Sequence, residues 1–217
     1  LFRSVVAILI PDTMMEVLGY LMGGIVNGEL RELTYPVNRS KKVIPVTMDE
    51  PDGLTIYKRS LVFMLAACFE KLFPGFDLEV KHSINGGGNL CNVTGPREFS
   101  REDRTALEAE MRKLVRADRS ITRKEVSIEE AKALFEKKHQ KDKVDLLAYR
   151  KKPYLVVYVL DDFEDYFYGY MLPSTGCLKY FRLENAGRVN QFLLRHPANG
   201  DDLRIGALEK YKRMRPI

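Results

Sequence analysis

Apolar and polar positions divide the chain into segments of two different periods. Residues 5–10 form a short apolar run and read as a strand, and residues 13–22 read as a short helix ended by Gly23-Gly24. Apolar residues on both sides of Asn27-Gly28 predict a hairpin over residues 25–30. Residues 43–48 predict a further short strand, and residues 49–53 have loop composition. From 54 to 73 apolar side chains (Leu61, Phe63, Met64, Leu65, Cys68, Phe69, Leu72) point almost all round a helical wheel, which predicts a buried helix. Pro74-Gly75 stops it. Two strands, 77–82 and 90–93, then flank Asn85-Gly86-Gly87-Gly88.

An amphipathic helix starts at Ser100-Arg101-Glu102-Asp103 and runs to about residue 116, and residues 121–126 alternate like a half-buried strand. Ser127-Ile128-Glu129-Glu130 fits a capping box that opens another helix. The remainder reads mostly as strand: 154–160, 164–171, 177–183 and 189–194. Between the middle two, Pro173, Ser174 and Gly176 predict a tight turn, giving a strand–turn–strand frame. The expected class is α+β, an antiparallel sheet packed with helices. The charged stretch 201–217 reads as a tail or linker.

Composition narrows the picture only a little. With 217 residues, 45% hydrophobic and 30% charged, the chain can bury a substantial core in one or two domains. A net charge of +5 is spread among Asp and Glu rather than gathered in a block, which favours a mixed solvated surface over a nucleic-acid tract. Cys68, Cys91 and Cys177 form no Cys-x-x-Cys pair, so structural thiols in a reduced, cytoplasmic setting are expected, with neither metal nor cofactor. Pro11, Asp12 and Glu16 interrupt the apolar region 5–26 and leave no run long enough to span a membrane.

Each candidate for chemistry has a plainer reading beside it. Asn85 to Gly88 sit between strands, so a hairpin turn is favoured over a phosphate cradle. His82 reads as a satisfied histidine, and His139 and His196 as solvated ones. Strand alternation would put Tyr166, Tyr168 and Tyr170 on one face and Phe167 and Met171 on the other. Asp161, Asp162, Glu164 and Asp165 read as turn chemistry rather than a metal site. Arg112, Lys113, Arg116, Arg119, Arg123 and Lys124 read as a solvated helix end rather than a nucleic-acid groove.

Four stretches in sequence order carry a family likeness: Val26-Asn27-Gly28-Glu29-Leu30-Arg31-Glu32-Leu33, Leu72-Phe73-Pro74-Gly75, Glu108 through Val115, and Pro173-Ser174-Thr175-Gly176 with Lys179 and Phe181. Together they resemble the N-terminal half of threonyl-tRNA synthetases, in which a small β-grasp (TGS-like) domain precedes an editing domain shared with alanyl-tRNA synthetases. The resemblance implies a partial β-grasp domain over 1–48 and an editing-like domain over 49–200. In that family a helix carries His-Ser-x-x-x-His and a later strand carries Cys-x-x-x-His just before Pro-Ser-Thr-Gly. Here Arg59 and Phe63 stand at the two helix positions, and Phe167 and Met171 at the other two. None of the four can do the acid–base work that contributes roughly 10²–10⁴ in rate, and the set of three or four zinc ligands is gone. Phe63, Phe167 and Met171 imply a cleft that is filled or apolar. Arg59 should reach solvent, an anionic ligand, or a carboxylate such as Asp161, Asp162 or Asp165.

Ile56-Tyr57 before Arg59-Ser60-Leu61, and His82-Ser83 before a glycine turn, are most similar to the synthetase-like region that precedes the kinase domain in bacterial uridine-kinase-like nucleoside kinases. The sequence holds no Gly-x-x-x-x-Gly-Lys-Ser/Thr phosphate loop, so residues 201–217 would lead toward a kinase domain that lies elsewhere. The resemblance implies a non-catalytic accessory module of an ATP-dependent uridine (nucleoside) kinase. Its partners would be a nucleoside, a nucleotide or RNA, the kinase domain, or a second copy in a homo-oligomer, but not a membrane. The alternative is a free-standing aminoacyl-tRNA deacylase using His82, Asp162 and Ser60.

Overall fold

The computed structural model describes residues 3–5, 21–37, 42–84, 87–138 and 140–198. The strand expected at 5–10, most of the helix expected at 13–22, His139 and the tail lie outside them. The chain divides into two compact units, one formed by residues 1–119 with 170–217 and the other by 120–169.

In the first unit, β1 (Arg3–Ser4) pairs with β4 (Pro36–Val37). β2 (Leu21–Val26), β3 (Glu29–Arg31) and β5 (Val43–Thr47) form an antiparallel sheet in the order β3-β2-β5. Leu21 and Met22 are therefore strand, not the end of a helix, and Gly23-Gly24 continue that strand. Both residues are buried, and their backbone is held by the ladder to β5. The predicted hairpin is present. Val26 pairs with Glu29 across Asn27 (φ 52°) and Gly28 (φ 86°), the two positive values a type I′ turn needs.

Helix α1 (Pro51–Leu72) starts earlier than its composition implied, because Pro51 occupies the first turn, where its missing N–H is not needed. Eleven of its residues are buried, and it packs against β2 and β5. β6 (Asp77–Ser83) and β7 (Asn89–Thr94) follow, then α2 (Arg101–Ala117), opened by a reciprocal capping box between Ser100 and Asp103. Late in the chain β11 (Arg182–Asn185) and β12 (Gln191–Arg195) complete a sheet of order β11-β12-β7-β6. Phe69, Phe73, Phe76, Phe99 and Phe192 form an aromatic cluster with ring centroids 5.2–6.4 Å apart in this unit's core.

The second unit is a three-stranded antiparallel sheet of order β10-β9-β8: β8 (Thr122–Ser127), β9 (Tyr154–Leu160) and β10 (Phe163–Asp165). Helices α3 (Ile128–Lys137) and α4 (Lys141–Leu147) accompany it. The capping box read at Ser127 is formed, with Glu130 as its partner. Val126, Ala131, Phe135, Leu147, Leu155 and Val157 make this unit's core.

Two expected strands are corrected. Strand structure stops at Asp165 instead of running to 171, and residues 177–181 are not strand. A short 3-10 turn (Thr175–Cys177) replaces the strand–turn–strand frame. The physical reason lies in the side chains of the two long helices of the first unit.

Candidate functional site

Residues 170–183 run along α1 and α2 with few strand neighbours, and helix side chains satisfy much of their backbone. Ser60 is fully buried; its hydroxyl donates to the Ile56 carbonyl at 2.8 Å and accepts from the Leu172 amide at 2.8 Å. One turn earlier, the Tyr57 hydroxyl donates to the Tyr180 carbonyl at 3.0 Å and accepts from the Tyr180 amide at 2.9 Å. Burial pushes that phenol far above its ordinary range, so it stays protonated. Tyr57 and Ser60 lie three residues apart on one face of α1.

α2 holds the other side of the segment. Thr175 donates its hydroxyl to the Leu114 carbonyl at 2.7 Å and accepts from the Arg119 amide at 2.8 Å. The Gly176 amide donates to Asp118 Oδ1 at 2.9 Å, and a Cβ at Gly176 would lie 2.2 Å from that oxygen, so only glycine fits. Arg112 donates to the Lys179 carbonyl at 2.9 Å and to the Phe181 carbonyl, and its guanidinium lies 3.9 Å from the Phe181 ring centroid. Glu108 accepts from the Leu183 amide at 2.8 Å and pairs with Arg112. The Pro-Ser-Thr-Gly stretch is thus a connector pinned by two helices.

Of the four positions singled out from sequence, Arg59, Phe63 and Met171 lie in the first unit with this connector. Phe63 is fully buried on α1, and Met171 is 2% exposed on the connector. Arg59 is half-buried, and its Nη1 donates to the Tyr170 carbonyl at 2.7 Å. That carbonyl is not among the partners expected from sequence, and Asp165 pairs with Lys143 at 2.8 Å. Phe167 belongs to the second unit and is half-buried. Because no strand passes through these residues, the two-face reading of the tyrosines also fails: Tyr168 is 83% exposed, while the Tyr170 hydroxyl accepts from Arg31 at 3.0 Å.

Of the substitute residues the alternative needs, Ser60 and His82 lie in the first unit and Asp162 in the second. Both functions of the Ser60 hydroxyl are spent on backbone groups. His82 is exposed on β6, and Asp162 lies in the β9–β10 turn of the other unit, where Asp161 takes φ 52°. That turn bears out the turn reading of the acidic run. Among the described residues no three His, Cys, Asp or Glu side chains gather as a metal site. No helix among them is long and apolar enough to cross a membrane.

Two expectations about polar residues are revised. His196 is buried rather than solvated, with Nδ1 2.9 Å from the Pro197 carbonyl and Nε2 3.3 Å from Asn89 Oδ1; burial lowers its pKa. The basic run 112–124 is divided between the units and is not simply a helix end: Arg112 is committed to the connector in the first, while Arg123 and Lys124 lie on β8 of the second. What sequence reading missed is an open groove of about 730 Å³ lined by Arg101, Arg104, Arg112 and Arg182 with Glu108. Its signal was present: arginines at 101, 104 and 112 recur at helical spacing on one face of α2.

A mixed α/β chain of antiparallel sheets with four helices among the described residues, and with Pro-Ser-Thr-Gly held by the first unit's helices, has the features expected of a threonyl-tRNA-synthetase-like region. No protein-family model matches the chain. Curated relatives are threonine–tRNA ligases: that of Lawsonia intracellularis is 31% identical over 164 residues, 75% of this chain and 25% of the ligase. The Acidithiobacillus ferrooxidans ligase is 34% identical over 160 residues (73% and 25%), and that of Lactococcus lactis 32% over 166 residues (76% and 25%). The chain spans about a quarter of the length of the curated relatives it matches. Three quarters of it is similar to threonyl-tRNA synthetase.

Proposed function

We propose that the chain is an editing-like module that no longer hydrolyses aminoacyl-tRNA and serves instead in binding or assembly. The observation that carries this reading is the burial of Phe63 and Met171, with Arg59 spent on a backbone carbonyl, at the positions where the family's pattern has imidazoles. A buried phenyl and thioether can neither move a proton nor activate water. The four positions Arg59, Phe63, Phe167 and Met171 are read as a retired site; within the first unit Arg59 bonds the connector, and Phe63 and Met171 are buried. In this reading residues 1–48 are a β-grasp (TGS-like) remnant and 49–200 the editing-like domain.

Because the relatives are tRNA ligases by name, an RNA partner is the first to test. The finer placement, ahead of the kinase domain of a uridine (nucleoside) kinase, is supported by Ile56-Tyr57, Arg59-Ser60-Leu61 and His82-Ser83. The test is incubation of the purified chain with mischarged threonine-type tRNA. No release of amino acid above a protein-free control is expected, and release above it would return the module to the hydrolases.

A further inference from the structure

The groove over α2 and β11 is built from residues other than the four retired positions, and what it binds does not depend on how those are read. Arg101, Arg104, Glu108 and Arg112 fall at positions i, i+3, i+7 and i+11 of α2, so they share one helix face. At 1.5 Å per residue that stripe is roughly 16 Å long, and Arg182 of β11 joins its lining. Four guanidinium groups thus meet one carboxylate.

The charges are not equally committed. Arg112 is tied to the Lys179 and Phe181 carbonyls and to Glu108, whose Oε2 accepts from the Leu183 amide. Arg182 pairs with Glu184. These pairs fix the inner end of the groove and neutralise Glu108. The side chains of Arg101 and Arg104, by contrast, have no hydrogen-bond or ion-pair partner among the described residues. Both lie in the first turns of α2, where the helix dipole disfavours cations and favours anions. Asp103 does not offset them, since it is engaged by Arg97 and by the Ser100 amide.

We propose that this groove binds a run of consecutive phosphate groups, seated on Arg101 and Arg104 and continuing toward Arg112 and Arg182. A stripe of this length suits a chain of phosphates better than one isolated anion, and planar guanidinium forks suit phosphate oxygens. The phosphates can come from an RNA strand or from a free polyphosphate, and the experiment separates the two.

The test measures fluorescence anisotropy of a labelled 12-nucleotide single-stranded RNA against the 217-residue chain across a salt series. Tripolyphosphate and polyglutamate serve as competitors. The two uncommitted arginines predict a slope of log K against log salt of about −1.4, most of which R101Q/R104Q should remove. The same counterion arithmetic gives about 25-fold weaker binding for the double variant at 0.1 M salt. Arg101 is exposed and Arg104 half-buried, and neither side chain has a partner among the described residues, so the melting temperature should stay close to that of the parent chain, which separates lost binding from lost fold. Displacement by tripolyphosphate identifies a free phosphate chain as sufficient, and binding that it does not displace identifies the RNA strand. Undiminished binding by R101Q/R104Q, no binding at low salt, or equal displacement by polyglutamate would overturn the proposal.

Discussion

Replacing Tyr57 with Phe tests how the connector is held. The substitution keeps the ring and removes one oxygen, which donates to the Tyr180 carbonyl at 3.0 Å and accepts from the Tyr180 amide at 2.9 Å. Tyr57 is 1% exposed, so water cannot take the place of that oxygen without disturbing the packing. Each buried polar group that loses its partner costs about 1–3 kcal/mol. Two such groups, partly relieved by relaxation, give about 2–3 kcal/mol for Tyr57→Phe. For a chain of this size that is a fall in melting temperature of roughly 4–12 °C. Thermal unfolding followed by circular dichroism measures the loss, and hydrogen exchange at residues 170–183 shows whether it is local to the connector. A change below about 0.5 kcal/mol, with exchange at Tyr180 unaltered, would refute the claim that helix side chains stand in for a strand ladder here.

Three further predictions concern other parts of the molecule. Arg97, whose guanidinium bonds Asp103, and the Ser100 cap hold that carboxyl at about 2, below its ordinary 3.8, so their stabilisation is present above about pH 4 and is lost as pH falls toward 2. Asp103→Ala should cost about 1 kcal/mol at neutral pH and flatten the acid limb of a urea-denaturation series; an unchanged acid limb would count against the cap. Burial pushes the Cys68 and Cys91 thiols up to about 12 and raises Cys177, so all three should react slowly with iodoacetamide until urea unfolds the chain. A thiol that labels rapidly in the native state contradicts this. Phe63→His, which restores one imidazole, should cost about 2–4 kcal/mol because it puts a polar ring into a site with no exposure, and should yield no hydrolysis. Wild-type stability for that variant would mean that the site is roomier than described.

Much of the fold was legible because its signals are local. The Asn27-Gly28 turn, the all-round apolar helix α1, the capping box at Ser127 and strand β9 are each set by residues close in sequence. The failures share one cause. Residues 166–171 and 177–181 contain enough aromatic and apolar side chains to read as strand, yet backbone groups from 170 to 181 bond with Arg59, Ser60, Tyr57, Arg112 and Asp118. Those partners lie up to 123 residues away, and local periodicity cannot report them. Helix α4 was missed because Lys141–Leu147 is short and mostly polar. At the candidate site, identity was legible but environment was not: Arg59, Phe63 and Met171 were named from their order along the chain, whereas their burial and the carbonyl partner of Arg59 required the fold. His196 was misjudged because Pro197 implied an exposed loop, while Asn89 on β7 encloses it.

The most direct measurement is deacylation of mischarged tRNA by the 217-residue chain, run beside an active editing domain as positive control. With Phe63 and Met171 buried and Arg59 bound to a carbonyl, release of the amino acid should stay at the protein-free rate. Protein-dependent release that scales with chain concentration and disappears in Ser60→Ala or His82→Ala would contradict the account and restore a working hydrolytic site.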